Sequence, residues 1–261
     1  MRVDAGRVAT KPRERMVEFR YTSCAGEDVI TTLGSAPPTD VAQGLPVRSF
    51  PSYAGMGHYP GWWWSATVGD HVGYESLLER DRLMLADFDR DVVAIASQPF
   101  GISGRDADAL RRHVPDYLLL HRNGTVEVVD VKPADMLDKP EVAAVLDWTG
   151  RLMAERGWRY SIWSGADPIE LTNVRFLAQG RRTRFVDAEA VASLARAGRP
   201  GRTLGAVLGE AARSPHSSAS LRAALITLLW QQMWQVALDR PIDLSTEIRT
   251  IREVHDEQRS S

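Results

Sequence analysis

The stretch PDYLLLHRNGTVEVVDVKP, Pro115 to Pro133, constrains the fold more than any other. Two runs of strand-forming residues flank Asn123-Gly124, the signal of a β-hairpin. A two-residue type I′ turn would pair Arg122 with Thr125. Asp116 would then lie opposite Val131, and Leu120 opposite Glu127. A three-residue loop, Arg122–Asn123–Gly124, places Gly124 in the left-handed position of a bulge and moves the pairing by one residue. Leu118 then meets Val128, Leu120 meets Val126 and Asp116 meets Asp130, with Lys132 two residues further along the same face. A one-residue slip turns every side chain to the other face of the sheet, so the apolar pairs select the bulged register.

A structural hairpin needs neither the two carboxylates nor the lysine. Two carboxylates that face each other repel, and without a counter-charge one of them holds its proton to higher pH. A hard divalent cation resolves the repulsion. Mg²⁺, with Mn²⁺ able to substitute, takes one or two carboxylates together with water and phosphate oxygens. A neighbouring lysine suits an anionic substrate, either stabilising developing charge or orienting the attacking water. Asp116, Asp130 and Lys132 thus point to metal-assisted phosphodiester hydrolysis. The bland alternative is an ion-pair cluster at the end of a sheet.

The surrounding pattern gives an element order. Residues before Val68 are irregular, with a short strand at Met16–Tyr21 and a loop at LGSAPPTDVAQGLP. DHVGYESLLERDRLMLADFDRD reads as a helix capped by Asp70, with Tyr74, Leu77, Leu78, Leu85 and Phe88 on one stripe. DVVAIASQP reads as a strand ended by Pro99, and GISGRDADALRRH as a polar connection. After the hairpin, DKPEVAAVLDWTGRLMAERG reads as a helix with Asp138 as N-cap, Pro140 in its first turn and Gly157 as terminator. WRYSIWS is a strand. The order is helix, three strands, helix, strand. Beyond Gly165 come three helices, DAEAVASLARAG, TLGAVLGEAAR and SSASLRAALITLLWQQM, and a small hairpin in WQVALDRPIDLSTEI, the layout of a winged helix. The expected division is 1–68, an extension packing on the core; 69–165, the core; and 166–261, a winged-helix-like domain.

Composition removes several classes. A net charge of −2 argues against a protein that coats DNA, and leaves room for a local basic groove. One cysteine, Cys24, permits no internal disulfide and no cysteine-based zinc site, and a cytoplasmic setting is the simplest expectation. No run approaches the roughly 18 apolar residues of a membrane helix.

The spacing P-D-x13-D-x-K, carried by Pro115, Asp116, Asp130 and Lys132, resembles the PD-(D/E)xK nuclease signature, and the element order resembles that superfamily's restriction-endonuclease-like αβββαβ core, an α/β (α+β) fold. YESLLERDRLMLADFDRDVVAIASQPF, followed by HVPDYLLL and VVDVKPADML, is similar more narrowly to the TnsA-type endonuclease subunit of heteromeric transposases, over roughly 57–164. The resemblance implies a glutamate on the helix before the first core strand. Counting back from SQP gives Glu79, with Glu75 one turn earlier as runner-up. It also implies that the Val131 carbonyl faces the metal. The position of Asp130 is often not acidic in that family. The implied activity is cleavage of the 5′ transposon ends, beside an RNase H-like transposase that cuts and joins the 3′ ends, under an AAA+ regulator, on transposon-end duplex DNA. A stand-alone restriction- or repair-type nuclease and a catalytically silent assembly module are the alternatives. The slight negative charge favours DNA capture shared with a partner.

Other residues carry plainer expectations. Asp81 lies in the apolar stripe and needs a capping or arginine partner if buried. Trp62–Trp64 are expected to pack rather than stack on bases. His58, His71 and His113 lack spaced partners for a metal. Arg111, Arg112, Arg181, Arg182 and Arg184 are either solvated or phosphate contacts that position DNA without reading it. The last long helix, apolar on more than one side, suits burial or a partner better than a DNA groove.

Overall fold

The computed structural model describes residues 17–48 and 59–249. His58 and the first residue of the strand expected at Met16–Tyr21 lie outside them. A strand β1 (Glu18–Thr22) pairs with β2 (Asp28–Thr32), and a short helix α1 (Pro38–Ala42) stands where a loop is expected. A hairpin of β3 (Gly61–Trp64) and β4 (His71–Tyr74) leads into helix α2 (Leu77–Phe88). Strands β5 (Val92–Ser97), β6 (Gly101–Asp106), β7 (Ala109–His113), β8 (Tyr117–His121) and β9 (Val126–Val131) follow. Then come α3 (Ala134–Leu137), α4 (Pro140–Arg156), β10 (Arg159–Trp163) and α5 (Pro168–Leu177). Three further helices, α6 (Ala188–Ala197), α7 (Leu204–Ala211) and α8 (Ser218–Trp230), fall where their sequence periodicity places them.

The central sheet runs β10-β9-β8-β5, with β9 antiparallel to β8 and parallel to β10. With α2 and α4 it forms the αβββαβ core of a restriction-endonuclease-like fold. Both faces are covered, which is why Leu118, Leu119, Val128 and Val129 can be consecutive apolar pairs. Leu118, Val126 and Val128 pack with Trp148, Leu152 and Met153 of α4 and with Phe19 and Phe100. Tyr117, Leu119, Val129 and Val131 pack with Leu83 and Ala86 of α2. The β8–β9 pairs are Leu118–Val128 and Leu120–Val126, the bulged register. His121 donates its N–H to the Thr125 carbonyl at 2.9 Å across the three-residue loop, and Gly124 has φ +83°.

Four further expectations change. The helix does not begin at Asp70. Residues 71–74 pair with 61–64, and the cap is Ser76, whose hydroxyl accepts the Glu79 N–H at 3.1 Å while Glu79 accepts the Glu75 N–H at 2.8 Å. This reciprocal capping box fixes Leu77 as the first helical residue, and leaves Leu77 itself exposed. Near the other end of the helix, buried Asp87 accepts from Trp63 Nε1, Ser65 Oγ and the Ala66 and Thr67 N–H groups at 2.7–3.1 Å, which anchors the tryptophan hairpin. The polar connection at 101–113 is the hairpin β6–β7, completing a second sheet, β2-β1-β6-β7. It reads as polar because its outer face carries charge pairs such as Asp106 with Arg111 and Arg151. Asp138 ends α3 rather than capping α4; α4 starts on Pro140 and stops at Gly157, φ +78°. The C-terminal hairpin is reduced to isolated bridges, Gln235 with Arg249 and Thr203 with Glu247. Pro241 donates nothing to a ladder, and the Asp243 carboxylate takes the Ser245 and Thr246 N–H groups into a local turn.

Helix α8 is buried on several sides, through Leu221, Ala224, Leu225, Leu228 and Leu229, at the centre of a cluster with α5, α6, α7 and Met84 of α2. Among the described residues no helix is long and apolar enough to cross a membrane.

Nothing lies within 4 Å of a Cβ built on Gly124, so Gly124→Ala carries only a conformational cost. It should lower stability in urea unfolding by roughly 1 kcal/mol. A neutral substitution would contradict the left-handed turn.

Candidate active site

The last regular pair of the hairpin is Tyr117–Val129, and Asp116 stands one step beyond it. Its Oδ2 accepts the Val131 N–H at 2.7 Å, and its backbone carbonyl accepts the Gln98 N–H at 2.8 Å. The carboxylate is thus fixed by the ends of both β9 and β5. Gln98 is strained for this position. It is buried, has φ +45°, and its side-chain oxygen has no partner among the described residues. Such a backbone outlier beside a buried carboxylate is typical of functional sites.

Lys132 anchors through its N–H, donated to Trp163 O of β10 at 2.9 Å. Its Nζ lies 3.1 Å from Asp116 Oδ2, 3.1 Å from the Val131 carbonyl and 3.9 Å from Asp130 Oδ1. Three oxygens expected of a metal site therefore converge on one cationic atom. Asp130 has no exposed surface. It accepts from Tyr160 Oη at 2.5 Å and pairs with His113 Nε2 at 2.7 Å. Glu79 lies on the wall of the same cleft, about 760 Å³, which Asp116, Lys132, Glu75, Arg48 and Arg112 also line. Both Glu79 oxygens are engaged by the helix cap, accepting from the Glu75 N–H and the Ser76 hydroxyl. Glu75 pairs with Arg48 at 3.0 Å. Among the described residues no three acidic, histidine or cysteine side chains stand together as a metal-holding group. The structure brings Asp116, Asp130, Val131 O and Lys132 together, and keeps Glu79 near them in the cap.

The site has more negative groups than its one lysine balances. Burial raises the Asp116 pKa and Asp130 adds to the rise, with Lys132 offsetting part of it. Burial and then Asp116 push Glu79 up to about 7. Burial alone would lower Lys132, but Asp116, Asp130 and Glu79 together raise it, so it is held as an ammonium. The Tyr160 hydroxyl is raised by burial and by Asp130 and stays a neutral donor. Hard oxygens gathered on a positive charge fit a divalent cation in donor type and in charge. Lys132 must leave Asp116 for a cation to take that place.

Sequence reading gives no role in this site to His113 or Tyr160, and to Gln98 only a place near it at the end of its strand. Tyr160 was within reach of a strand-pairing argument. β10 runs parallel to β9 with Tyr160 beside Val128, on the face that carries Asp130 two residues on. His113 required the β6–β7 hairpin to be recognised, and Gln98 a backbone angle that no local pattern signals. Other plain readings hold. Asp81 pairs with Arg175 at 3.1 Å. Trp63 packs against the core and His71 meets Trp64 edge-on at 5.3 Å, away from the carboxylates, whereas Trp62, also expected to pack, is exposed.

A four-stranded sheet between α2 and α4, ending in a carboxylate–lysine cluster, defines a core of restriction-endonuclease-like fold. Residues 89–165, under a third of the chain, match the family described as TnsA-like endonuclease N terminal. The matched segment holds Asp116, Asp130 and Lys132 and begins after Glu79. No curated protein matches the chain.

Because the folded pKa of Glu79 lies near 7, above its ordinary 4.5, the native state binds the extra proton between these values. Stability is therefore lost as pH rises through that window, on the order of 3 kcal/mol in full. Glu79→Gln should gain roughly 1–3 kcal/mol on the wild type between pH 5 and pH 8 in urea unfolding. A constant difference across that range would contradict the assignment.

Proposed function

We propose that the chain is a metal-dependent DNA endonuclease that cuts the 5′ ends of a transposon as one subunit of a heteromeric cut-and-paste transposase. The observation that carries this is the convergence of Asp116 Oδ2, Val131 O and Asp130 Oδ1 on the Lys132 ammonium, inside the segment that matches the TnsA-like endonuclease domain. Mg²⁺ or Mn²⁺ at these oxygens would polarise the scissile phosphate and supply an acidified water. Asp116 and the Val131 carbonyl are the first holders. Asp130, pinned by Tyr160 and His113, holds the shared corner of the site. Glu79 reaches it only by releasing its helix cap. Lys132, charged throughout, moves from Asp116 to the phosphate and neutralises charge there.

The substrate proposed is transposon-end duplex, and the partners an RNase H-like transposase and an AAA+ regulator, in the cytoplasm. The C-terminal helices and their two bridges support a winged-helix-like docking module, since α8 is too buried to read a groove. The engaged carboxylates favour one second reading, a catalytically silent assembly subunit.

Transposon-end DNA incubated in Mg²⁺ with the chain and its partner transposase should be nicked at the 5′ ends. Asp116→Ala and Lys132→Ala should each lower that rate by about 10³-fold or more, on the scale of lost transition-state charge stabilisation, with the fold intact by circular dichroism. Undiminished cutting by these variants would refute the site. Cutting without the partner would make it a stand-alone nuclease, and no cutting under any condition a silent module.

A further inference from the structure

A second cleft, of about 610 Å³, opens at the other end of the central sheet from Asp116. Five arginines line it. Arg90 follows α2, Arg122 sits in the β8–β9 turn, and Arg181, Arg182 and Arg184 follow α5. Among the described residues none of the five has a carboxylate oxygen within 4 Å, although nine other arginines of the chain do. Acid is not lacking in the protein, yet none of it is paired with these five arginines. The two carboxylates on its wall are engaged elsewhere: Asp87 by the tryptophan hairpin, Asp89 by the Asp91 N–H at 2.9 Å.

Three of the guanidiniums lie against aromatic rings, while Arg181 also donates to the Trp64 and Ala178 carbonyls at 3.0 and 2.7 Å, and Arg90 and Arg122 donate to the Gln232 and Arg90 carbonyls at 3.2 and 3.0 Å. Arg181 lies 4.1 Å from the centre of the Trp63 ring, and Arg184 and Arg182 lie 5.4 and 5.7 Å from that of Trp64. Stacking fixes a guanidinium plane while leaving edge N–H groups for an acceptor. Arg182 Nε is buried with no hydrogen-bond partner among the described residues, a donor that has lost water and gained nothing in return.

We infer that this cleft binds the phosphodiester backbone of DNA, independently of sequence and apart from the cutting site. Six residues of extended chain separate Asp116 from Arg122, roughly 20 Å at about 3.3 Å per residue. That spans about six nucleotides of one B-form strand at ~3.4 Å each, so one duplex can engage both clefts. The inference rests on the endonuclease reading only in taking DNA as the polyanion. An acidic protein segment is the competing occupant.

The test is fluorescence anisotropy of a labelled duplex of unrelated sequence, in EDTA, over a salt series. The double variant Arg182→Gln/Arg184→Gln should bind about tenfold more weakly, and its log–log salt slope should fall by about two, one per lost phosphate contact. Arg122→Gln, on an exposed turn, should lower the slope by about one. Melting temperatures establish that the variants are folded. Wild-type slopes in the arginine variants would overturn the inference. So would loss of polyglutamate binding without any loss of DNA binding, which would assign the cleft to an acidic protein. If Asp116→Ala still cuts DNA while the arginine slopes fall as stated, the nuclease site is wrong and the phosphate cleft stands.

Discussion

One step past the last Tyr117–Val129 pair, the Val131 N–H donates to Asp116 Oδ2 instead of to a backbone carbonyl. This bond fixes where the Asp116 carboxylate points relative to Lys132 and the Val131 carbonyl. It exists because the loop before it has three residues and Gly124 accepts a left-handed angle. In the tight-turn register Asp116 would face Val131, and the even-numbered side chains of β9 would exchange places with the odd ones. The Leu118–Val128 and Leu120–Val126 contacts hold the register from within the core, so the apolar packing of the sheet and the aim of the site share one cause.

The electrostatics of that site run against stability. Asp116 and Asp130 face a single ammonium with Glu79 on the wall of the same cleft, and two of the three acids have raised pKa values. Gln98 adds a strained backbone and an oxygen with no partner among the described residues. A protein under selection for stability alone would replace these groups with apolar ones. Their retention makes sense where a cation and a phosphate complete the charge balance, and the helix cap and the Tyr160–His113 pair hold the acids meanwhile.

The central sheet and both flanking helices were legible because their signals are strong: the Asn-Gly turn, apolar runs bounded by Pro99 and Pro133, and Pro140 to Gly157 around α4. The site acids were legible through their shared register. Failures came where short-range patterns competed. Asp70 and Ser76 are both acceptable caps, and only the pairing of Trp63 with Val72 removes the first. The β6–β7 hairpin hid behind charges that pair on its surface. Tyr160 and His113 reach Asp130 from strands distant in sequence, so no local window contains the contact. The arginine cleft was half visible, since Arg181, Arg182 and Arg184 stood out, but Arg90 and Arg122 join them only through the fold.

The account stands or falls on whether the oxygens around the Lys132 ammonium form a cation site. The direct measurement is anomalous diffraction from crystals of the protein soaked in Mn²⁺. The predicted result is one peak at about 2.1 Å from the Asp116 carboxylate and the Val131 carbonyl, near the distance of a hard divalent ion to oxygen, with Lys132 Nζ displaced from Asp116. A Mn²⁺ peak bound elsewhere, with the Lys132–Asp116 contact intact, would contradict it.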